Sequence, residues 1–158
     1  MTTPNMNKLE LKVPPPVVAL LVAAAMWGIT MISAPIEVPN FVRYVVASTI
    51  AIAGGCISLA GVIWFRRAKT TVNPLKPENT SSLVTAGIYR FTRNPMYLGL
   101  LFILLAWAVF LSSAWALVGP VAFVLYIQRF QVAPEERVLA TMFGSTYSEY
   151  KARVRRWL

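Results

Sequence analysis

Histidine is absent from this 158-residue chain, cysteine occurs once, and only six residues are acidic. Each shortage closes off chemistry. Without histidine there is neither the commonest general base nor an imidazole to ligate haem. Cys56 alone can form no intramolecular disulfide. No set of cysteine and carboxylate side chains has metal-ligand spacing, so no metal is expected. Charged residues are also scarce, at 13% of the chain against about 25% in a soluble domain.

What the chain has instead is long apolar runs. Residues 17–34, 41–65 and 96–127 contain a single charged residue between them, Arg43. About 20 residues of helix cross the hydrocarbon core, and in lipid every backbone polar group must be satisfied within the segment. Helical spans are therefore expected at 17–34 and 41–65, the first being long for the apolar part of a cleaved leader. The third run would be too long as one helix. It reads as a hairpin, 96–111 and 115–128, turning at Ser112-Ser113 and kinked in its second arm by Gly119-Pro120. The expected fold is all-α: one polytopic membrane domain over 1–158, with four transmembrane helices. Small residues four apart in the second span (Ala51/Gly55, Gly54/Ser58, Cys56/Ala60) suit close helix packing in lipid.

Charge gives the orientation. Fourteen of the fifteen basic residues lie in 1–16, 66–95 or 129–158, and the 33–42 connection and the serine turn have none. By the positive-inside rule those three segments, and both termini, are cytoplasmic. The net charge of +9 borders apolar runs, which points to anionic lipid and away from nucleic acid. In the tail, Pro134 can open a helix with Glu135 and Glu136 in its first turn, and Gly144 can end it. Beyond it, Tyr147, Tyr150, Val154 and Trp157 fall on one face of a second, amphipathic helix expected to lie at the membrane interface.

Two places break the apolar pattern. One is the stretch from Gly87 to Gly99, where Asn94 can cap the third span and Pro95 can hold its first helical position. A helix N-terminus beside Arg90 and Arg93 favours an anion, and Gly99 would let a ligand approach the backbone. The same residues also suit a plain capped helix with snorkelling arginines. The other place is Glu135-Glu136-Arg137, whose carboxylates can equally be simple dipole partners. Topology weighs against coincidence, because a hairpin brings Arg93, Asn94, Tyr97 and Gly99 beside Glu135 and Glu136. A pocket with anion-binding and cation-binding halves suits a zwitterion.

The stretch Gly87–Gly99, then Glu135-Glu136 about 35 residues on, then Phe143-Gly144, Tyr147, Tyr150 and Arg153-Val154, resembles the isoprenylcysteine carboxyl methyltransferase and phospholipid N-methyltransferase superfamily. The resemblance covers roughly residues 75–158. Arg93-Asn94-Pro95 stands where the carboxyl enzymes usually have Arg-His-Pro, and Asn94-Pro95-Met96-Tyr97 with Gly99 is similar to the phospholipid enzymes. The resemblance implies an integral-membrane methyltransferase using S-adenosylmethionine, its site formed by the cytoplasmic loop and the C-terminal helices. Tyr89, Arg93, Asn94, Pro95, Tyr97, Leu98, Gly99, Glu135 and Glu136 would hold the cofactor. Arg93 and Glu136 would also serve catalysis, with Arg90 or Arg137 orienting an anionic head group. The partners implied are the bilayer and a lipophilic methyl acceptor: a phospholipid amine, a prenylated carboxylate or a small hydrophobic thiol or acid. An inner bacterial membrane is the expected location. Other classes open to such a chain are a small transporter, a non-catalytic membrane protein, or a membrane lipid reductase. The first would normally carry a strongly polar residue mid-span, and none is present.

Overall fold

The computed structural model describes residues 10–69, 75 and 77–158. Lys8 and Lys76, both counted in the charge asymmetry, lie outside the described residues, as does most of the expected N-terminal segment. The described residues form five α-helices and no strand: α1 (Pro15–Thr30), α2 (Asn40–Arg67), α3 (Pro95–Leu111), α4 (Val118–Ile127) and α5 (Ala133–Arg153). The all-α expectation holds. Two helical stretches are long and apolar enough to cross a membrane, α2 and the continuous run Ala114–Arg153; α1 and α3 are shorter apolar helices.

Proline and charge set the boundaries. Pro15 and Pro95 stand at the starts of α1 and α3, where an absent N–H costs nothing. α2 stops after Arg66-Arg67, with Lys69 turned into the left-handed region at φ +50°. Ser112 ends α3 in the same conformation, φ +51°. Its carbonyl accepts the Ile36 N–H at 2.6 Å, and the hydroxyls of Ser33 and Ser113 meet at 2.9 Å. The two connections that lack basic residues therefore lie together at one end of the bundle.

α2 and α3 cross closely. A Cβ on Gly54 would lie 2.7 Å from the Gly99 carbonyl oxygen, and one on Gly99 would lie 2.9 Å from the Ser58 nitrogen, closer still to its hydroxyl. Of the three small-residue pairs, Gly54/Ser58 serves this crossing, while Gly55 faces open space and Cys56 is exposed. Gly61, outside that pattern, receives Pro95 and Met96. On the other side, Val18 and Met26 of α1 meet Leu104 and Ala108 of α3 and Phe123 and Ile127 of α4 in one buried cluster. Gly119 lies under Met26, and the Trp107 indole donates to the Ala23 carbonyl at 3.0 Å.

The hairpin's second arm differs from expectation twice. Gly119-Pro120 does not kink it. A 3-10 turn (Ala114–Leu117) comes first, and Pro120 falls in the opening turn of α4, where helix N–H groups have no intrahelical partner anyway. Nor does a new helix start at Pro134. The arm runs on through a π-helical turn, Gln128–Val132, straight into α5.

Because the neighbours of Gly99 include the Gly54 carbonyl oxygen and the Ser58 nitrogen, backbone atoms of α2, they cannot all swing aside. Gly99→Ala should lower stability by about 1–3 kcal/mol, read as a drop in thermal midpoint in detergent. Gly55→Ala, with nothing within 4 Å, should leave that midpoint unchanged or higher.

Candidate active site

Pro134 decides how the site is built. It has no N–H to offer the carbonyl four residues back, Phe130, and its ring would clash there in a regular α-helix. Widening the ladder into a π-turn relieves that clash, and such turns recur at functional sites. The helix then resumes with Glu135 and Glu136 in its first turn, beside the start of α3.

Between them opens a cavity of about 810 Å³, counting its open mouth. Its apolar wall includes Phe65, Leu83, Val84, Met96, Val132 and Leu139; its polar lining includes Thr80, Ser82, Arg93, Asn94, Glu135 and Glu136, and four tyrosines, Tyr89, Tyr97, Tyr147 and Tyr150, complete it. Tyr97 donates a short hydrogen bond to Glu135 Oε1. Burial is the main force on Glu135: together with the charge of Glu136 it outweighs the Tyr97 hydrogen bond and pushes the carboxyl up to about 8.

Glu136 is the reverse case. Burial alone would raise it, but the Arg156 hydrogen bonds and the charges of Arg93, Arg156 and Lys151 hold it below the usual carboxylate value. Arg156 grips it with two bonds, Nε to Oε1 at 3.0 Å and Nη2 to Oε2 at 2.7 Å. Arg93 Nη1 lies 3.0 Å from Oε1 and Lys151 Nζ 3.7 Å from Oε2. Arg93 also donates to the Tyr147 hydroxyl at 3.4 Å, and Tyr150 donates to the Tyr89 carbonyl at 2.7 Å. Burial pushes the Tyr147 hydroxyl up to about 12 and raises Tyr89 and Tyr150 further, so all three are neutral donors at pH 7. Three cations thus surround one carboxylate, and of the three only Arg93 lines the cavity.

Seven of the residues singled out in the sequence line this cavity: Tyr89, Arg93, Asn94, Pro95, Tyr97, Glu135 and Glu136. Four lie elsewhere. Leu98 is buried in α3, and Gly99 faces α2, where its missing Cβ serves the helix crossing. Arg90 is exposed and does not line the cavity, and Arg137 pairs with Glu10 at 2.5 Å. Asn94 is not the side-chain cap expected for α3. Its amide donates to the Arg156 carbonyl at 2.9 Å, and its N–H is taken by the Thr92 hydroxyl at 3.2 Å.

The C-terminal tail also departs from expectation. α5 breaks at Gly144 (φ +51°, ψ −123°) as its glycine suggested, but the second half ends at Arg153, so Val154 and Trp157 lie off the helix. Tyr147 and Tyr150 do not form an exposed apolar face; they are buried against Val84 and Tyr89 and line the cavity. The final residues run back along the start of α3, where Arg93 N–H donates to the Arg155 carbonyl at 3.1 Å and Thr92 Oγ1 to that of Arg156 at 3.3 Å. Sequence reasoning missed Thr92 and Arg156. The basic cluster at 151–156 was the only signal for Arg156, and it read as lipid-facing charge.

A carboxyl that keeps its proton to higher pH in the folded chain than in the unfolded one makes the fold lose stability as pH rises. For Glu135 that window lies between its ordinary value, 4.5, and about 8. Glu136, lowered on folding, acts below that window and in the opposite sense. Thermal midpoints of the wild type should therefore fall from pH 5 to pH 8, and Glu135→Gln should flatten that slope.

The chain matches the model of the phospholipid methyltransferase family over residues 42–146. It is 51% identical to an uncharacterized protein of Haemophilus influenzae over 63 residues, 40% of this chain and all of that one. It is 30% identical to protein-S-isoprenylcysteine O-methyltransferase B of Arabidopsis thaliana over 109 residues, 67% of this chain and 54% of that enzyme. To methanethiol S-methyltransferase 1 of Bradyrhizobium diazoefficiens it is 40% identical over 67 residues, 42% of this chain and 22% of that enzyme. The chain thus spans little more than half the length of the isoprenylcysteine enzyme. No solved structure matches it. The family match takes in nearly all of α2, both glutamates and the cavity lining except Tyr147 and Tyr150, and on that ground the chain belongs to the phospholipid methyltransferase family.

Proposed function

We propose that this chain is an integral-membrane methyltransferase that takes its methyl group from S-adenosylmethionine and transfers it to a lipophilic acceptor. The observation that carries this is the cavity itself: a charged wall and an apolar wall facing each other at the basic end of an apolar helical bundle, lined mostly by residues of the span that matches the family. Four crossings are part of the proposal. α1 and α3 measure about 24 and 26 Å at 1.5 Å per residue, short of a core of about 30 Å, and local thinning of the bilayer accommodates such a mismatch. The basic end faces the cytoplasm by the positive-inside rule. A bacterial inner membrane is part of the proposal, and bacterial as well as plant proteins are among those the chain resembles.

The residues present suit the donor. It carries a carboxylate, an ammonium, a sulfonium and ribose hydroxyls. Tyr89 Oη and Arg93 Nε are buried with no protein partner among the described residues, so both have a bond to give. Arg93, with Arg156 behind it, suits the carboxylate. Glu135 suits the ammonium or the hydroxyls, and the faces of Tyr89, Tyr97, Tyr147 and Phe65 suit a sulfonium. Glu136 holds Arg93 and Arg156 in place. When bound, S-adenosylmethionine would supply a methyl group activated by its positive sulfur. The chain's contribution is to hold the donor in line with the acceptor and keep water out, which in-line displacement needs more than acid–base groups. The apolar wall suits an acceptor arriving from the bilayer. Relatives named for O- and S-methyl transfer and a family described by phospholipids keep all three acceptor atoms within the proposal.

Calorimetry on the purified protein in detergent tests the donor. S-adenosylmethionine should bind saturably, and Arg93→Ala and Glu135→Gln should each weaken it at least tenfold, about 1.4 kcal/mol or more. Arg90→Ala, outside the cavity, should stay within twofold. Well-folded protein that binds no donor, in lipid as in detergent, overturns the proposal.

A further inference from the structure

A short N-terminal strap lies across the π-turn. Glu10, its side chain 3% exposed, accepts from Arg129 Nη1 at 2.9 Å and from Arg137 Nη2 at 2.5 Å. Leu11 N–H donates to the Phe130 carbonyl at 3.0 Å, the same carbonyl that Pro134 cannot serve. Gln131, 1% exposed, sends its amide Nε2 to the Val13 carbonyl at 2.8 Å. Leu11 is buried and held at φ +57°, a conformation that costs a side-chain-bearing residue free energy and persists only where the surroundings impose it. The four contacts converge on one irregular turn, and Glu10 ties a residue inside that turn to one in α5.

The turn matters because it sets phase. A helix advances about 100° per residue, and a π-turn holds one residue more than an α-turn. Collapse into regular α-helix would swing Glu135 and Glu136 by about that angle, away from Tyr97 and Arg93. We infer that Glu10 is a positioning residue: the strap it anchors fixes the π-turn, and through it the direction in which the two glutamates enter the cavity. The inference rests on the proposed donor site for its consequence, though not for its geometry. Both arginines are substantially exposed, 53% and 41% at the side chain, so losing Glu10 strands no buried cation. Glu10→Gln should fold for that reason.

The test compares full-length wild type, Glu10→Gln and Glu37→Gln in detergent by two measurements. Glu37 is an exposed glutamate in the connection between α1 and α2. Hydrogen exchange of the amides at 128–137 should quicken at least tenfold in Glu10→Gln, with α3 unchanged and Glu37→Gln behaving as wild type. Calorimetry with S-adenosylmethionine should show an unchanged number of sites and a Kd raised at least tenfold. A merely structural strap would lower the number of sites and leave Kd alone, and that outcome overturns the inference, as does unchanged exchange at 128–137. If the wild type itself binds no donor, the proposed function fails, and exchange alone decides whether the strap holds the turn. Should Glu10→Gln not fold, Arg137→Gln breaks one of the two pairs and carries the same comparison.

Discussion

A single missing N–H organises the basic end of this molecule. Pro134 cannot bond to Phe130, and the helix descending from the core answers by widening instead of ending. A break would have let α5 leave the bundle as a surface helix. Continuity through Gln128–Val132 keeps the axis pointed past the start of α3, so residues just beyond the proline are delivered to the same place as Arg93 and Tyr97. The carbonyl freed by the proline does not go unsatisfied, since buried backbone acceptors need a partner and Leu11 provides one. Local backbone chemistry and the docking of the N-terminal segment are therefore one event.

The tail is fixed by a second constraint, the buried charge of Glu136. Its side chain is 11% exposed and that of Arg93 9%. Such a pair is tolerable only when its remaining valences are filled, and removing one partner of a buried pair is costly. Arg156 fills them with a two-point grip, which requires the chain end to turn back along α3. The backbone follows, with the carbonyls of Arg155 and Arg156 accepting from Arg93, Thr92 and Asn94. A charge in the first turn of α5 thus specifies the path of residues 154–156.

The sequence made legible what depends on hydropathy and on chain order. The apolar runs predicted α1, α2 and α3 to within a few residues, and the hairpin argument put Arg93, Asn94, Tyr97, Glu135 and Glu136 at one place, where they line one cavity. The unread parts depend on contacts between distant segments. A π-turn leaves no periodic trace in five residues, so Pro134 looked like a beginning. Tyr147, Tyr150, Val154 and Trp157 share a face only if the helix persists, and it ends at Arg153 because Thr92, Asn94 and Glu136 offer the tail better partners. Gly99 looked like room for a ligand because nothing in its own segment reveals that Ser58 approaches it from α2.

Glu135 and Glu136 are the same residue type, adjacent on one helix, and about 100° of rotation separates them. That rotation is enough to give them opposite chemistry. Glu136 turns toward the tail and meets three cations, which keep it charged at any pH near neutrality. Glu135 turns into the cavity, where burial dominates and its hydrogen-bond donor among the described residues, Tyr97, is neutral. Environments that push two neighbouring carboxyls apart are how one site obtains two functions from one kind of side chain. Here the permanently ionised member serves as architecture. The titratable one faces the cavity, and a ligand bringing positive charge beside Glu135 would oppose the effect of burial and favour its ionised form.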